Sequence, residues 1–387
     1  MLYFHSFWTV PITGPERDSQ TGLIEIWEFE VLVWLLSALE IRRHSRIRLI
    51  TDSRGLQYVQ RTGLDWVYNG GITTVLDEIP KSIDPQLFWA AGKIYAWKDI
   101  TEPAVSVDTD AIIWKALQPT LPAGGLHFES NGWPWYASNE LAFKGFGFEG
   151  TRWDWSVPPL NHGVLYIQDT KLAQMFVEHA SRFMISYSHH LRERSDRGEA
   201  EPEHKNDAML FADQRLLAMC AKSLGLSVEG LTTLNTRTFC VGRDGPCVHL
   251  WISKVFYRYC AEARIALCNY LIEYILESYP ESRPTLSGWG LDKPMALDRC
   301  MQLDYRELTA GDHRRERIGL LTELNGPINI RDSNFNVLRR ASAGSLILPG
   351  EDIIPEDEAT FKLVSAGTGN TSQEWPGQTG TNLWEMT

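Results

Sequence analysis

A chain of 387 residues with 43% hydrophobic and 22% charged side chains has enough apolar material for a large core and the balance of an ordinary globular protein. Its formal net charge of -12 excludes a general nucleic-acid binder, which needs basic surface against phosphates, and argues equally against docking on anionic membranes. Six cysteines (Cys220, Cys240, Cys247, Cys260, Cys268, Cys300) show neither zinc-type pairs nor a dense disulfide framework, the pattern expected of a reduced, cytoplasmic protein.

The N-terminus reads directly as a strand, Leu2 to Trp8, with no basic segment ahead of it to mark a signal peptide. A loop with Gly14-Pro15 leads to an amphipathic helix from Ile24 to Arg43, with Ile24, Trp27, Val31, Leu35 and Ala38 on one face. Its charge-free run, Val31 to Leu39, is too short to cross a bilayer, so no membrane insertion is expected. Ile47 to Thr51 is a second strand closing on Asp52. A helix over 57–62, a short strand over 72–76 and a helix over 88–98 follow. Ala104-Val-Ser-Val107 is a buried strand by its β-branched content, and it stops on Asp108-Thr109-Asp110.

Strands alternating with helices predict an open α/β sheet with helices on both faces. In such sheets ligands bind beyond the carboxyl ends of parallel strands. Ser6, Phe7, Trp8, Asp52 and the Asp108-Thr109-Asp110 run all fall at predicted strand ends. Two carboxylates two residues apart at a turn can converge on one hard cation and leave it open positions for diphosphate oxygens. An acidic turn that caps the next element is the competing reading, and Asp52 can likewise cap a helix.

Further on, Gly/Trp-rich loops such as Asn131 to Tyr136 precede a strand over 160–166 that is entered through Asn161-His162-Gly163. Helices are expected over 170–187, 208–224 and 255–279, and a strand over 248–251. The charged stretch 189–207 reads as a mobile loop or lid, or as a solvated linker. The expected division is a main domain over 1–284, a small β-rich region over 285–350 and an acidic, then Gly/Thr/Ser-rich, partly disordered tail over 351–387.

The order of elements completes a pattern. Trp89 and Lys93 come in a helix, then Asp108-Thr109-Asp110, the Asn161-His-Gly-Val turn, Asp213-Gln-Arg-Leu-Leu217 and finally His249-Leu-Trp-Ile-Ser-Lys254. Over roughly 1–280 this resembles the GT-A class of nucleotide-sugar glycosyltransferases, with a Rossmann-like open mixed sheet. It is similar to the glycogenin-like retaining enzymes and to a bacterial group that begins with an HSFW-like strand.

The resemblance implies that Asp108, Asp110 and His249 hold Mn²⁺ or Mg²⁺, that Lys254 grips the donor phosphates and that Lys93 contacts the donor phosphate or sugar. Ser6, Phe7, Trp8, Asp52 and Thr109 would lie at the nucleotide, a UDP-sugar being favoured. Asp213 and Asp110 would carry the chemistry, with Asn161 and His162 at the donor or acceptor sugar and an acceptor that is not specified. No Gly separates His249 from Lys254 and no Pro follows Lys254, a departure from the family spacing that bears on Lys254. His249 can also be read as a core histidine, Lys93 as a solvated cation and Asp213 as a polar helix position.

Two other functions are compatible with parts of the pattern. A carbohydrate- or nucleotide-binding protein on a degenerate transferase fold would lack turnover. An Asp-nucleophile phosphotransferase would place its aspartates on the first strand, which here ends in Ser6-Phe7-Trp8.

Overall fold

The computed structural model describes residues 1–12, 24, 26–146, 153–232, 246–250, 254, 257–258, 261–293 and 295, and the backbone of strands between 319 and 375. The chain forms two compact units. The first is Met1–Ile26, Ala38–Thr109 and Ala116–Leu234; the second is Trp27–Ser37, Asp110–Lys115 and Asn235–Thr387.

The strands up to His249 are, in chain order, β1 (Leu2–Phe7), β2 (Arg46–Thr51), β3 (Ile72–Thr73), β4 (Ala104–Val107), β5 (Ala111–Ile113), β6 (Ala123–Gly125), β7 (Val164–Ile167), β8 (Val228–Gly230) and β9 (Cys247–His249). Seven of them make the sheet of the first unit in the order β3-β2-β1-β4-β7-β6-β8. β1 runs parallel to β2 and β4, β2 to β3, and β6 to β8, while β7 is antiparallel to both β4 and β6. Phe7 pairs with Thr51 and His5 with Val107, so β1, β2 and β4 all end on one edge of the sheet. All four residues of β4 are buried, as a central strand covered on both faces requires. The sheet is mixed but mostly parallel and is flanked by helices, the α/β class read from the sequence.

The principal helices are α1 (Glu28–Arg42), α2 (Ser53–Thr62), α3 (Ala91–Ala96), α4 (Thr170–Asp196), α5 (Leu216–Ser223) and α6 (Ala261–Ser278). Asp169 caps α4 by accepting from the amides of Lys171 and Leu172. Its buried stripe of Leu172, Phe176, Ala180, Phe183 and Tyr187 follows the three-to-four-residue helical repeat. Phe183 lies 6.0 Å from Phe88, 5.4 Å from Phe143 and 4.8 Å from Phe211, ring centre to ring centre. Burying one such ring is worth about 1.5–3 kcal/mol, so this cluster is a main anchor of the first unit's core.

Several boundaries differ from the sequence reading. α1 begins at Glu28, not Ile24, with Glu28 and Glu30 in the first turn, where the helix dipole favours carboxylates. It is also not amphipathic: residues 31–41 are buried without interruption, because the helix is covered on every side. α2 starts four residues early, at Ser53, because Asp52 caps it. The strand at Ile72 is only two residues long. Asp77 accepts from the Ser53 amide at 3.0 Å, and residues 75–78 turn as a 3-10 helix. The helix expected over 88–98 is α3 followed by a 3-10 turn over Trp97–Asp99, and the strand expected at 160 begins at Val164.

The stretch from His189 is not a loop at first: α4 continues to Asp196. Pairs one turn apart carry it, His189 with Glu193 at 3.4 Å and Arg192 Nε with the Ser188 carbonyl at 3.2 Å, until Gly198 turns the chain at φ 68°.

In the second unit β5 pairs antiparallel with β9. Arg264, a fully buried cation, lies 4.7 Å over the Trp27 ring and donates to the carbonyls of Tyr257 and Arg258. Arg258 in turn pairs with Glu30 at 2.9 Å. A turn at Pro280–Ser282 and a helix at Arg283–Gly288 follow α6, and the Met295 amide donates to Asn269 Oδ1 on α6 at 2.6 Å.

The C-terminal strands form two further antiparallel sheets. One has the order 346–347, 319–325, 360–365, 372–375, and the other 337–340, 328–331, 352–355. Strands thus extend into the stretch expected to be a tail; residues 376–387 lie outside the described ones. No described helix is long and apolar enough to cross a membrane.

Candidate functional site

The shared edge of β1, β2 and β4 presents the first group of expected site residues. Ser6, Phe7 and Trp8 are half-buried there. Phe7 is fixed from two sides, its carbonyl accepting from Thr51 Oγ1 and its ring 5.6 Å from Tyr58 on α2. Trp8 packs against Gly92 of α3, where an added Cβ would come within 2.5 Å of Trp8 Cβ. That close approach brings α3, and Lys93 on it, next to the end of β1.

Asp52 is buried and its carboxylate serves the chain itself. It accepts from the Thr9 amide at 2.7 Å, from Thr9 Oγ1 at 2.8 Å and from the Gly55 amide at 2.7 Å. The helix-cap reading of Asp52 therefore describes its geometry, and it also fastens the backbone that follows Trp8.

Lys93 is where the strand ends meet the helices. Its ammonium contacts Asp108 Oδ2 at 2.7 Å and Asp213 Oδ2 at 3.7 Å. Asp213 is buried in a π-helical turn, Phe211–Arg215, between residues 208–210 and α5, and its other oxygen meets His162 Nδ1 at 3.2 Å. Burial alone would raise the Asp213 carboxyl, but Lys93 and then His162 outweigh it and hold it below the ordinary carboxylate value. The π turn is a local irregularity of the kind that collects at functional sites.

The turn Asn161-His162-Gly163 is itself braced. Gly163 offers its carbonyl to the Asp108 amide at 2.9 Å, and its own amide donates to Asn161 Oδ1 at 3.0 Å. Asn161 Nδ2 donates to Glu129 at 3.1 Å, and the same Glu129 oxygen lies 3.0 Å from His127 Nε2. All of Asn161, His162, His127 and Glu129 are buried. His127 and Glu129 were not legible as site residues; the one signal was a His and an acid two apart in an extended stretch, hence on one face.

Arg215, also missed, is buried, and among the described residues it meets neutral oxygens. It donates to the Tyr136 carbonyl at 3.1 Å and to Asn131 Oδ1, and burial pushes it down to about 10. It ties the Asn131–Tyr136 loop to the π turn.

Asp110 belongs to the second unit. It is buried just ahead of β5, and its carbonyl accepts from the Leu250 amide as β5 pairs with β9. Its carboxylate meets Lys254 Nζ at 2.7 Å and His249 Nε2 at 3.4 Å. Burial would raise it; Lys254 and His249 outweigh burial and hold it well below the ordinary carboxylate range. His249 thus faces the motif rather than an apolar core, and Lys254 reaches it despite the unusual spacing. Thr109, half-buried, links the two aspartates. Two peptide units keep their Cα atoms within about 7 Å by covalent reach alone.

Asp108, Asp110 and His249 are a group whose side chains could hold a metal ion. Two carboxylates and one imidazole fit a hard to borderline divalent cation.

Residues 1–131 match a sequence family described as a family of unknown function, DUF6734. No curated protein sequence matches the chain. Among solved structures, mouse xyloside xylosyltransferase 1 in its apo form is similar with a TM-score of 0.33 and 11% identity, over 64% of this chain and 96% of that one. The PaToxG glycosyltransferase is similar with a TM-score of 0.30 and 10% identity, over 58% of this chain and 72% of that one. Both scores are low, and what the chain can do follows from its own residues.

Proposed function

We propose that the chain is a metal-dependent glycosyltransferase that moves a sugar from a nucleotide donor, favouring a UDP-sugar, onto an acceptor hydroxyl. The observation that carries this is Lys93, one ammonium in contact with both Asp108 of the metal motif and the buried Asp213. A catalyst of glycosyl transfer has to manage charge at two neighbouring places, the departing diphosphate and the anomeric carbon, and this contact joins a residue for each.

Asp108, Asp110 and His249 would hold the cation. When bound it supplies Lewis-acid charge against the diphosphate. Lys93 and Lys254 bring fixed ammonium charge to phosphate oxygens. Phe7 and Trp8 offer aromatic faces and Ser6 a hydroxyl to the nucleoside, with Asp52 fastening the backbone that carries them. Asp213, aimed by His162, holds the donor sugar and offsets positive charge as it develops at the anomeric carbon. A carboxylate engaged by Lys93 and His162 is poorly placed to act as a base, so the reading is retention of configuration, with the leaving diphosphate taking the acceptor proton. The buried thiols of Cys220, Cys247 and Cys268 accord with a reducing, cytoplasmic setting.

A panel of nucleotide sugars tests this without knowledge of the acceptor, because slow transfer to water reveals the donor. One sugar nucleotide should be hydrolysed with Mn²⁺ or Mg²⁺ and spared in EDTA, and NMR of the first product from an α-linked donor should show the α anomer. A β product overturns retention. Failure to bind or turn over any donor, with or without metal, overturns the transferase reading.

A further inference from the structure

The Trp-rich loops of the sequence have no part in the donor site described above. Trp133, Trp135, Trp153 and Trp155 all lie within the first unit, as does the π turn that carries Asp213. Trp153 and Trp155 pack on the core, Trp155 stacking on Phe211 of the π turn with ring centres 5.5 Å apart. Trp133 and Trp135 lie nearer the surface. Trp135 is 41% exposed, Trp133 is half-buried, and their rings are 5.4 Å apart at 58°.

The loop that carries this pair is firmly tied down. The buried Arg215 donates to the Tyr136 carbonyl at 3.1 Å and to Asn131 Oδ1, and its guanidinium lies 5.8 Å from the centre of the Tyr136 ring. The Tyr136 hydroxyl donates to Gln214 Oε1, and Asn131 Nδ2 donates to the Ser156 carbonyl at 2.7 Å. Trp135 is thereby joined to Asp213 through Tyr136 and Gln214, each of which is the chain neighbour of one of them. Binding residues are commonly carried on loops that a rigid scaffold positions in this way.

We propose that Trp133 and Trp135 form an aromatic platform for a pyranose ring, and that the acceptor is a carbohydrate. This rests on the transferase reading and gives it an acceptor class. The ring C–H groups of a pyranose carry partial positive charge and the face of an indole is negative, so the two attract. The hydroxyls around the same ring need polar groups at the rim of the platform. Ser130 is exposed at one end of the loop, and the Asp154 carboxylate, which accepts from the Ser156 amide at 3.0 Å, stands on the segment that Asn131 reaches. An ionised carboxylate can only accept, which suits a ligand rich in hydroxyl donors. An apolar peptide segment would meet the indoles and leave those polar groups unmatched. A sugar held on the platform is remote from the bond being made, and such binding orients the reacting hydroxyl.

Saturation-transfer NMR on the full chain, without metal or nucleotide, tests the platform. The probes are the methyl α- and β-pyranosides of glucose, galactose, mannose and xylose, with maltotriose and cellotriose. At least one should bind, with the strongest transfer to protons on its ring carbons. Trp135→Ala and Trp133→Ala should each weaken that ligand about tenfold, the scale of a truncated aromatic anchor. Trp135→Phe keeps a flat face and should stay within about threefold of the wild type. The same ligand should accept sugar from the donor, with KM raised about tenfold in Trp135→Ala. No probe bound overturns the platform, whether or not a donor is turned over. Binding unchanged in both Ala variants, or transfer confined to serine and tyrosine peptides, overturns it as well. A probe bound through Trp135 by a chain that turns over no nucleotide sugar keeps the platform and overturns the transferase reading.

Discussion

Asp110 stays charged in a buried position because Lys254 and His249 face it, and the same partners tie its charge to the stability of the fold. Its carboxyl lies well below the ordinary value in the folded chain. The stabilisation is therefore complete above the unfolded carboxyl's value, near 3.8, and is lost as pH falls through the lower folded value. Asp110→Asn should lower the unfolding free energy at pH 7 by about 2 kcal/mol. That is less than the roughly 3–5 kcal/mol of a broken, fully buried pair, because Lys254 is partly exposed. Denaturant titrations should show this difference shrinking as the pH is lowered below about 3.8. Asp108 is less deeply set, so Asp108→Asn should abolish donor turnover with little change in melting temperature. Turnover that persists in Asp108→Asn with the melting temperature unchanged would remove Asp108 from the site.

At the scale of elements, Gly92 decides how near α3 comes to the end of β1. A Cβ there would fall 2.5 Å from Trp8 Cβ, closer than packed atoms tolerate, and a tight 3.3 Å from Leu76 Cδ1. Gly92→Ala should displace Trp8 and α3 together. The cost is about 1–3 kcal/mol, the range for overpacking, with donor affinity falling because Lys93 follows the helix. A thermal melt and a nucleotide titration check both halves. The strands ending at Thr51 and Val107 were legible because runs with β-branched residues stop abruptly on aspartates, and the one ending at Phe7 because it is a short apolar and aromatic run. The continuation of α4 to Asp196 was not, since its charges look like a solvated loop until they are paired one turn apart. Nor was the brace of His127, Glu129 and Asn161, which arises from segments that carry no periodic pattern and meet only in the fold. The motif aspartates were found as a pair, but Asp110's depth depends on β9 and could not be read from its neighbours.

For the molecule as a whole, the division expected near residue 284 meets a helix, Arg283–Gly288, and a tie between Met295 and Asn269 of α6. Leu286 and Leu291 are buried beyond that point. A chain ending just after Met295 is thus the smallest we expect to keep α6 covered. It should remain folded and bind the same nucleoside diphosphate as the full chain, since every donor-site residue proposed above precedes it. A cut at Pro284 should instead expose apolar surface and lower the melting temperature further. If the chain ending after Met295 is insoluble or does not bind nucleotide, the C-terminal sheets complete the main fold.

The π turn at Phe211–Arg215 gives the helix one residue more than regular α-winding between residues 208 and 223 calls for. Each residue in an α-helix advances the side-chain direction by about 100°, so the surplus residue sets which way Asp213 looks. Deleting Ala212 would let the segment wind without interruption, and the shortened protein should melt no lower, or even higher, than its parent. It would also swing the Asp213 carboxylate away from Lys93 and His162, and turnover should vanish. Robustness and reactivity would then pull in opposite directions on a single position in the chain, and selection for a tougher protein at that point would produce an inert one.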